Sequence, residues 1–251
     1  MSIYKNAKCS FYKKQNLEID VLKIEAESFE NDKSTITTHN FDLLPKDVDY
    51  VTGTWKNRDN SWRRERLKIA SPNVWSVGWY LPSRLSYAKD DALTQQILAN
   101  KDGDHGVFLA MAMYATAKEK KFNIFDTDII IPVPNFKTDF NAYNSRAESI
   151  ARYLCGIMKK HGHEKVELGN NILDKTINIS TKTMSPDEKD SFFKENDVYA
   201  IKKESNIQGK KILLIDDVIT TGYTAGQCLQ TLQENGATDL CFYTVCNTKP
   251  R

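Results

Sequence analysis

The chain has 251 residues, 40% of them hydrophobic and 27% charged, which is the composition of an ordinary globular protein and excludes a disordered one. With 35 Lys and Arg against 33 Asp and Glu, the net charge of +2 is too small to draw nucleic acid or an anionic membrane by bulk attraction, so any such contact has to be a local patch. The longest apolar runs, IIIPVP at 129–134 and ILLI at 212–215, fall far short of the roughly 20 residues that a bilayer crossing requires.

The opening stretch MSIYKNAKCSFYKKQ is basic but has no apolar core and no small-residue cleavage site. No secretion signal is expected, and the cytoplasm is the expected compartment. Up to about Leu81 the pattern alternates between apolar and polar residues, as in LEIDVLKIEA (17–26), STITTHNF (34–41) and DYVTGTW (49–55), which predicts strands. All four tryptophans of the chain, Trp55, Trp62, Trp75 and Trp79, fall in this part. From Ser86 the period changes: Asp90 or Asp91 can cap a helix carrying Leu93, Gln96 and Ile97, and a second helix is predicted over about 106–120.

Beyond Asp128 strands and helices alternate, the pattern of a parallel sheet with crossover helices. DIIIPVP (128–134) reads as a buried strand feeding a loop. Ser145-Arg146-Ala147-Glu148 has the form of a capping box and opens a helix with Ile150, Ala151, Leu154 and Met158 on one face. A weak strand follows within 164–173, and the polar stretch 174–196 reads as a long mobile loop with one helical turn after Pro186. Then come VYAIK (198–202), the strand KKILLID (210–216), a glycine-containing turn, a helix carrying Ala225, Cys228, Leu229 and Leu232, and a last strand LCFYTVC (240–246).

The five cysteines, Cys9, Cys155, Cys228, Cys241 and Cys246, are scattered without a CxxC pair, so a zinc knuckle is not expected and buried, reduced thiols are. The four histidines show no metal-binding spacing, and His161-Gly162-His163 reads as a solvated helix end.

The most informative segment is ILLIDDVITTGYT (212–224). An apolar strand delivers Asp216 and Asp217 to its C-terminal edge, where open α/β sheets bind ligands, and a Thr/Gly turn then opens a helix. The turn offers backbone N–H groups, the positive end of a helix and the hydroxyls of Thr220, Thr221 and Thr224, while Gly222 allows close approach of an anion. Two acids beside a phosphate receptor suit a ligand that is both phosphorylated and rich in hydroxyls, such as a ribose 5-phosphate. The acids would accept hydrogen bonds from its hydroxyls or help to hold Mg²⁺.

This segment resembles, at every position, the phosphoribosyl pyrophosphate (PRPP) signature of type I phosphoribosyltransferases. Within that superfamily, residues 85–248 are most similar to the competence protein F (ComF) type. IPVPNF (131–136) resembles that family's strand and loop near the pyrophosphate, Tyr143-Asn144 with Ala147-Glu148 a degraded form of its RGFNQAEL segment, and 181–201 its polar loop, with Lys where Arg is usual. The four-cysteine zinc module common in ComF proteins is absent. The resemblance implies an α/β fold of the type I phosphoribosyltransferase kind, a mainly parallel central sheet flanked by helices, with a β-rich N-terminal region. It divides the chain into residues 1–82, a hood or accessory region, and 83–251, the phosphoribosyltransferase domain.

The implied activity is transfer of phosphoribosyl from PRPP, with Mg²⁺, to a nitrogen nucleophile such as a nucleobase. The alternative is a non-catalytic PRPP- or nucleotide-binding protein with a regulatory or DNA-associated role. Asp216 and Asp217 are the expected metal-binding and catalytic carboxylates, and Thr220, Thr221, Gly222, Tyr223 and Thr224 the expected PRPP-binding residues. Lys137, and Lys182 or Lys189, are candidate cations for the departing pyrophosphate, with a solvated surface charge as the alternative for each. With only Asn247–Arg251 after the last strand, a hood over the ribose is expected chiefly from the N-terminal part. There a tryptophan either stacks on a base or packs the small β layer. WKNRDNSWRRERLK (55–68) interleaves basic and aromatic residues, which suits single-stranded nucleic acid and equally a strand with a solvated basic face. The expected partners are PRPP and an unnamed acceptor, with a second copy of the chain and nucleic acid as further candidates and no membrane.

Overall fold

The computed structural model describes residues 3–14, 19–30, 33–43, 73–82, 85–99, 106–135, 145–179, 184–202 and 205–248. In chain order the elements are strands β1 (Ile3–Lys13), β2 (Asp20–Glu30), β3 (Lys33–Asp42) and β4 (Asn73–Tyr80), then helices α1 (Ala92–Ala99) and α2 (Gly106–Lys120). Next come β5 (Ile129–Pro132), α3 (Arg146–Lys160), β6 (Glu167–Leu168), β7 (Leu173–Lys175), α4 (Pro186–Glu195) and β8 (Tyr199–Ile201). The last three are β9 (Lys211–Ile219), α5 (Tyr223–Glu234) and β10 (Asp239–Thr248).

The centre is a five-stranded sheet in the order β4-β10-β9-β5-β6, every pair parallel. Its middle strands are apolar at successive positions because both faces are covered. Ile130, Leu213 and Ile215 enter one core, and Ile129, Ile131, Ile212 and Leu214 the other. The first core is closed by α1, α2 and α3, the second by α5 with the β7–β8 hairpin and α4. The expected architecture, a mainly parallel central sheet flanked by helices with a β-rich N-terminal region, is the one observed.

The N-terminal sheet, antiparallel in the order β1-β2-β3, belongs to the first core. Leu22, Ile24 and Ala26 alternate inward along β2 and are fully buried with Phe41 of β3. They meet Phe108 and Leu109 of α2, and the rings of His39 and Phe108 pack edge to face with centroids 4.5 Å apart. Lys120 at the end of α2 pairs with Asp20 at 2.7 Å, its side chain only 7% exposed.

The strand β4, which the division at 82/83 leaves on the N-terminal side, is an edge strand of the central sheet and pairs along its length with β10. The polar stretch 174–196, expected as a loop with one helical turn, instead contains part of β7 and the ten-residue helix α4. α4 starts at a full capping box: the Ser185 hydroxyl accepts from Glu188 N–H, and the Glu188 carboxylate accepts from Ser185 N–H. Hydrogen bonding of the Glu188 carboxyl to the Ser185 backbone N–H, and secondly to the Ser185 hydroxyl, holds it below its ordinary range. DYVTGTW (49–55) and the stretch 55–68 lie outside the described residues.

Candidate functional site

The connections of the sheet single out one place on its rim. From β5 the chain crosses through α3 to β6, over the face that carries the N-terminal sheet, whereas from the adjacent β9 it crosses through α5 to β10, over the opposite face. Two neighbouring strands whose crossovers leave in opposite directions open a crevice at their C-terminal ends, the usual ligand position in open α/β sheets. Val133 N–H donates to Ile215 O at 2.8 Å and carries the β5–β9 pairing up to that rim.

At the rim, β9 ends at Ile219 and Thr220-Thr221-Gly222 turns into α5. Gly222 is left-handed, with φ 85° and ψ −9°, a conformation that costs any residue with a Cβ. No side chain caps α5, so its first N–H groups point out of the turn uncovered by any cap. Thr220, Thr221, Gly222 and Thr224 line a cavity of about 300 Å³ together with Asp216 and Lys189. The Thr220 hydroxyl is 3.2 Å from that of Thr248 at the end of β10. Thr224 is hydrogen-bonded to the hydroxyl of Tyr199, whose titration burial pushes upward.

The two acids differ. Asp216 faces the cavity, and its carboxyl accepts from Asp217 N–H at 2.8 Å. Burial, and secondly the charge of Asp217, push its titration well above the usual carboxylate range, and a hydrogen bond to the Asp217 carboxyl adds to the rise. Asp217 accepts from Val218 N–H at 2.8 Å and pairs with Arg146 at 3.0 Å. The site therefore presents an acid whose ionisation burial resists beside one already paired with Arg146.

Arg146 is the residue the sequence reading did not assign to the site. Its signal was its position: a cation in the first turn of a helix opposes the helix dipole and needs an anion to justify it. The proposed capping box at 145–148 is half formed, since the Ser145 hydroxyl accepts from Glu148 N–H at 3.0 Å while the buried Glu148 carboxylate accepts from Arg152 and Asn170, each at 3.5 Å.

Tyr223, expected to bind ligand, has its ring in the core, stacked on Phe193 with centroids 5.2 Å apart, so only its backbone faces the turn. Trp75, a candidate for base stacking, is packed against Phe122 at 5.1 Å and edge-on to Tyr243, and so takes the packing alternative. Trp79 lies in register with Asn247 toward the C-terminal end of β4. Lys137, Lys182, Tyr143, Asn144, Trp55 and Trp62 lie outside the described residues.

His161 and His163 stack on Tyr114 and Phe125, and among the described residues no three His, Cys, Asp or Glu side chains are grouped as a metal site. Cys155, Cys228, Cys241 and Cys246 are buried, whereas Cys9 is exposed. Burial raises the titration of the four buried thiols, that of Cys241 to about 11. Among the described residues no helix is long and apolar enough to cross a membrane.

No protein-family model matches the chain. Two proteins of Streptococcus agalactiae, from serotypes V and III and both named ribose-phosphate pyrophosphokinase 2, are 24% identical to it over 193 residues, covering 72% of this chain and 55% of theirs. The chain spans about half the length of these relatives. The crystal structure of a purine phosphoribosyltransferase from Pyrococcus horikoshii aligns with 62% of this chain and 85% of its own, at 18% identity and a TM-score of 0.35. The chain is distantly similar to curated proteins named for ribose-phosphate chemistry.

Proposed function

We propose that the crevice between β5 and β9 binds PRPP and that the chain transfers its phosphoribosyl group to a nitrogen nucleophile such as a nucleobase, releasing pyrophosphate. The observation that carries this reading is the small polar cavity beyond β9, where an uncapped helix end and three threonines face the carboxyl of Asp216 from the same strand. A phosphate monoester fits the turn, held by its N–H groups and hydroxyls. Asp216 and Asp217 then stand where the hydroxyls of the attached ribose need acceptors. The name of the curated relatives supports a ribose phosphate as the bound group.

Magnesium fits this site in company with the ligand. Asp216 and Asp217 would hold it as hard oxygen donors, and the described residues supply no further carboxylate group for a closed cage, so PRPP oxygens would complete its shell. Bound there, it would offset the charge that develops on the departing pyrophosphate. A bound magnesium ion would favour the ionised form of Asp216, whose titration burial raises in the unliganded protein, so metal binding would draw protons off this carboxyl. Lys137 and Lys182 are proposed as further cations for the leaving group.

The second reading, a PRPP- or nucleotide-binding protein without turnover and with a regulatory or DNA-associated role, is favoured by the Arg146–Asp217 pair, which already occupies one of the two carboxylates. The test mixes purified protein, Mg²⁺ and PRPP with a panel of nucleobases and measures pyrophosphate. Release that requires a base supports transfer. Tight binding of PRPP without release supports the second reading, and the absence of both binding and release removes the proposal.

A further inference from the structure

α4 is fastened to α5, the helix that carries the turn. Gln227 of α5, 9% exposed, accepts from Val198 N–H at 3.2 Å and donates to Phe193 O at 3.1 Å and Asn196 O at 2.6 Å. One side-chain amide thus satisfies two carbonyls at the end of α4 and one N–H of the segment that leaves it, groups that a helix end leaves unpaired. Phe193 stacks on Tyr223, the first residue of α5, with the rings 4° from parallel. Lys189 lies four residues before Phe193, hence on the same face of α4 and one turn away. Seating Phe193 on Tyr223 therefore sets Lys189 beside Thr220-Thr221-Gly222, and its side chain lines that cavity. Among the described residues no carboxylate pairs with Lys189.

A lysine held in this way belongs to the turn and not to a lid. We infer that Lys189 is the counter-cation of the 5-phosphate of the bound sugar, that Gln227 positions it, and that the pyrophosphate is met by other groups. This rests on the proposed ribose-phosphate reading and reassigns Lys189 from the leaving-group role.

Ribose 5-phosphate and inorganic pyrophosphate separate the two roles, since the first carries only the 5-phosphate and the second only the leaving group. Titration calorimetry on the full chain with Mg²⁺ should show Lys189→Gln weakening ribose 5-phosphate by roughly tenfold or more, the range for a charged hydrogen-bond partner, with pyrophosphate binding unchanged. Lys189→Arg should recover most of the loss. Gln227→Leu should weaken ribose 5-phosphate less, and the double variant should be no worse than Lys189→Gln alone, because Gln227 acts through Lys189. An additive double variant would show that Gln227 acts otherwise and overturn its positioning role. Should Gln227→Leu not fold, Lys189→Gln decides by itself. Unchanged ribose 5-phosphate affinity in Lys189→Gln, or a loss confined to pyrophosphate, overturns the inference and leaves the proposed function standing. Failure of the wild-type chain to bind ribose 5-phosphate or PRPP overturns both.

Discussion

Two helices start at the same rim, and their first turns are built in opposite ways. α3 is closed: Ser145 caps it, and Arg146 spans the crevice to Asp217. α5 is open, entered through a left-handed glycine with no side-chain cap. A capped helix end has spent its donors on its own chain and contributes stability, whereas an uncapped end beside a polar cavity keeps them for an anion. Under the proposed function, α5 would serve the ligand and α3 would hold the crevice in shape.

The sharpest way to break this contrast is Gly222→Val. Forcing a β-branched residue into the left-handed region costs about 1–2 kcal/mol and moves the N–H groups that the turn offers. PRPP affinity measured by calorimetry should fall by roughly a hundredfold, the equivalent of losing one or two charge-assisted hydrogen bonds. Retained affinity would remove the turn from the site.

Asp216→Asn comes next and should pull stability and binding apart. Because the folded-state titration of Asp216 lies above its unfolded value, the native protein holds more protons than the unfolded chain between those two values. Stability therefore falls as pH rises through that window, by about 1.4 kcal/mol per unit, and the loss is complete above the folded value. The Asn variant should be more stable than wild type at neutral pH in denaturant unfolding and should bind PRPP more weakly. Wild-type affinity should rise with pH across the same window, with proton release seen as a dependence of the binding heat on buffer, and the variant should lose both. A variant less stable than wild type at pH 7 would contradict the raised titration of Asp216.

Arg146→Gln tests the closed side. Its charge lowers the titration of Asp216, so removing it should move the pH dependence of PRPP binding to higher pH. The stability cost should stay near 1 kcal/mol because Arg146 and Asp217 are partly exposed, 27% and 21%. The smallest effect is expected from Ser145→Ala, about 1 kcal/mol or less in denaturant unfolding with PRPP affinity unchanged. A matching loss of affinity would mean that α3 also serves the ligand.

What the sequence revealed depended on how far apart the cooperating residues are. β5, β9, α2, α3, α5 and β10 announce themselves because their apolar spacing is local, and the Thr220–Thr224 turn is contiguous in the chain. α4 was expected only as one helical turn after Pro186, although Ser185-Pro186-Asp187-Glu188 spells the start of a longer helix. Its body is charged almost throughout, and only Phe192 and Phe193 are apolar, too few to show a period. The partners Arg146 and Asp217 are 71 residues apart, and no local pattern links them. The same holds for β4, whose place beside β10 comes from a pairing that spans most of the chain.

By itself the sequence determined that an α/β sheet ends in an acidic, threonine-rich turn suited to a sugar phosphate, because strand period, helix start and glycine are properties of neighbouring residues. Only the tertiary structure decided that burial raises the titration of Asp216 while Asp217 is paired, that Tyr223 turns inward, and that Lys189 reaches the cavity. Charge state and side-chain direction are set by desolvation and by groups brought from distant parts of the chain, and these come into being only when the two faces of the sheet are covered.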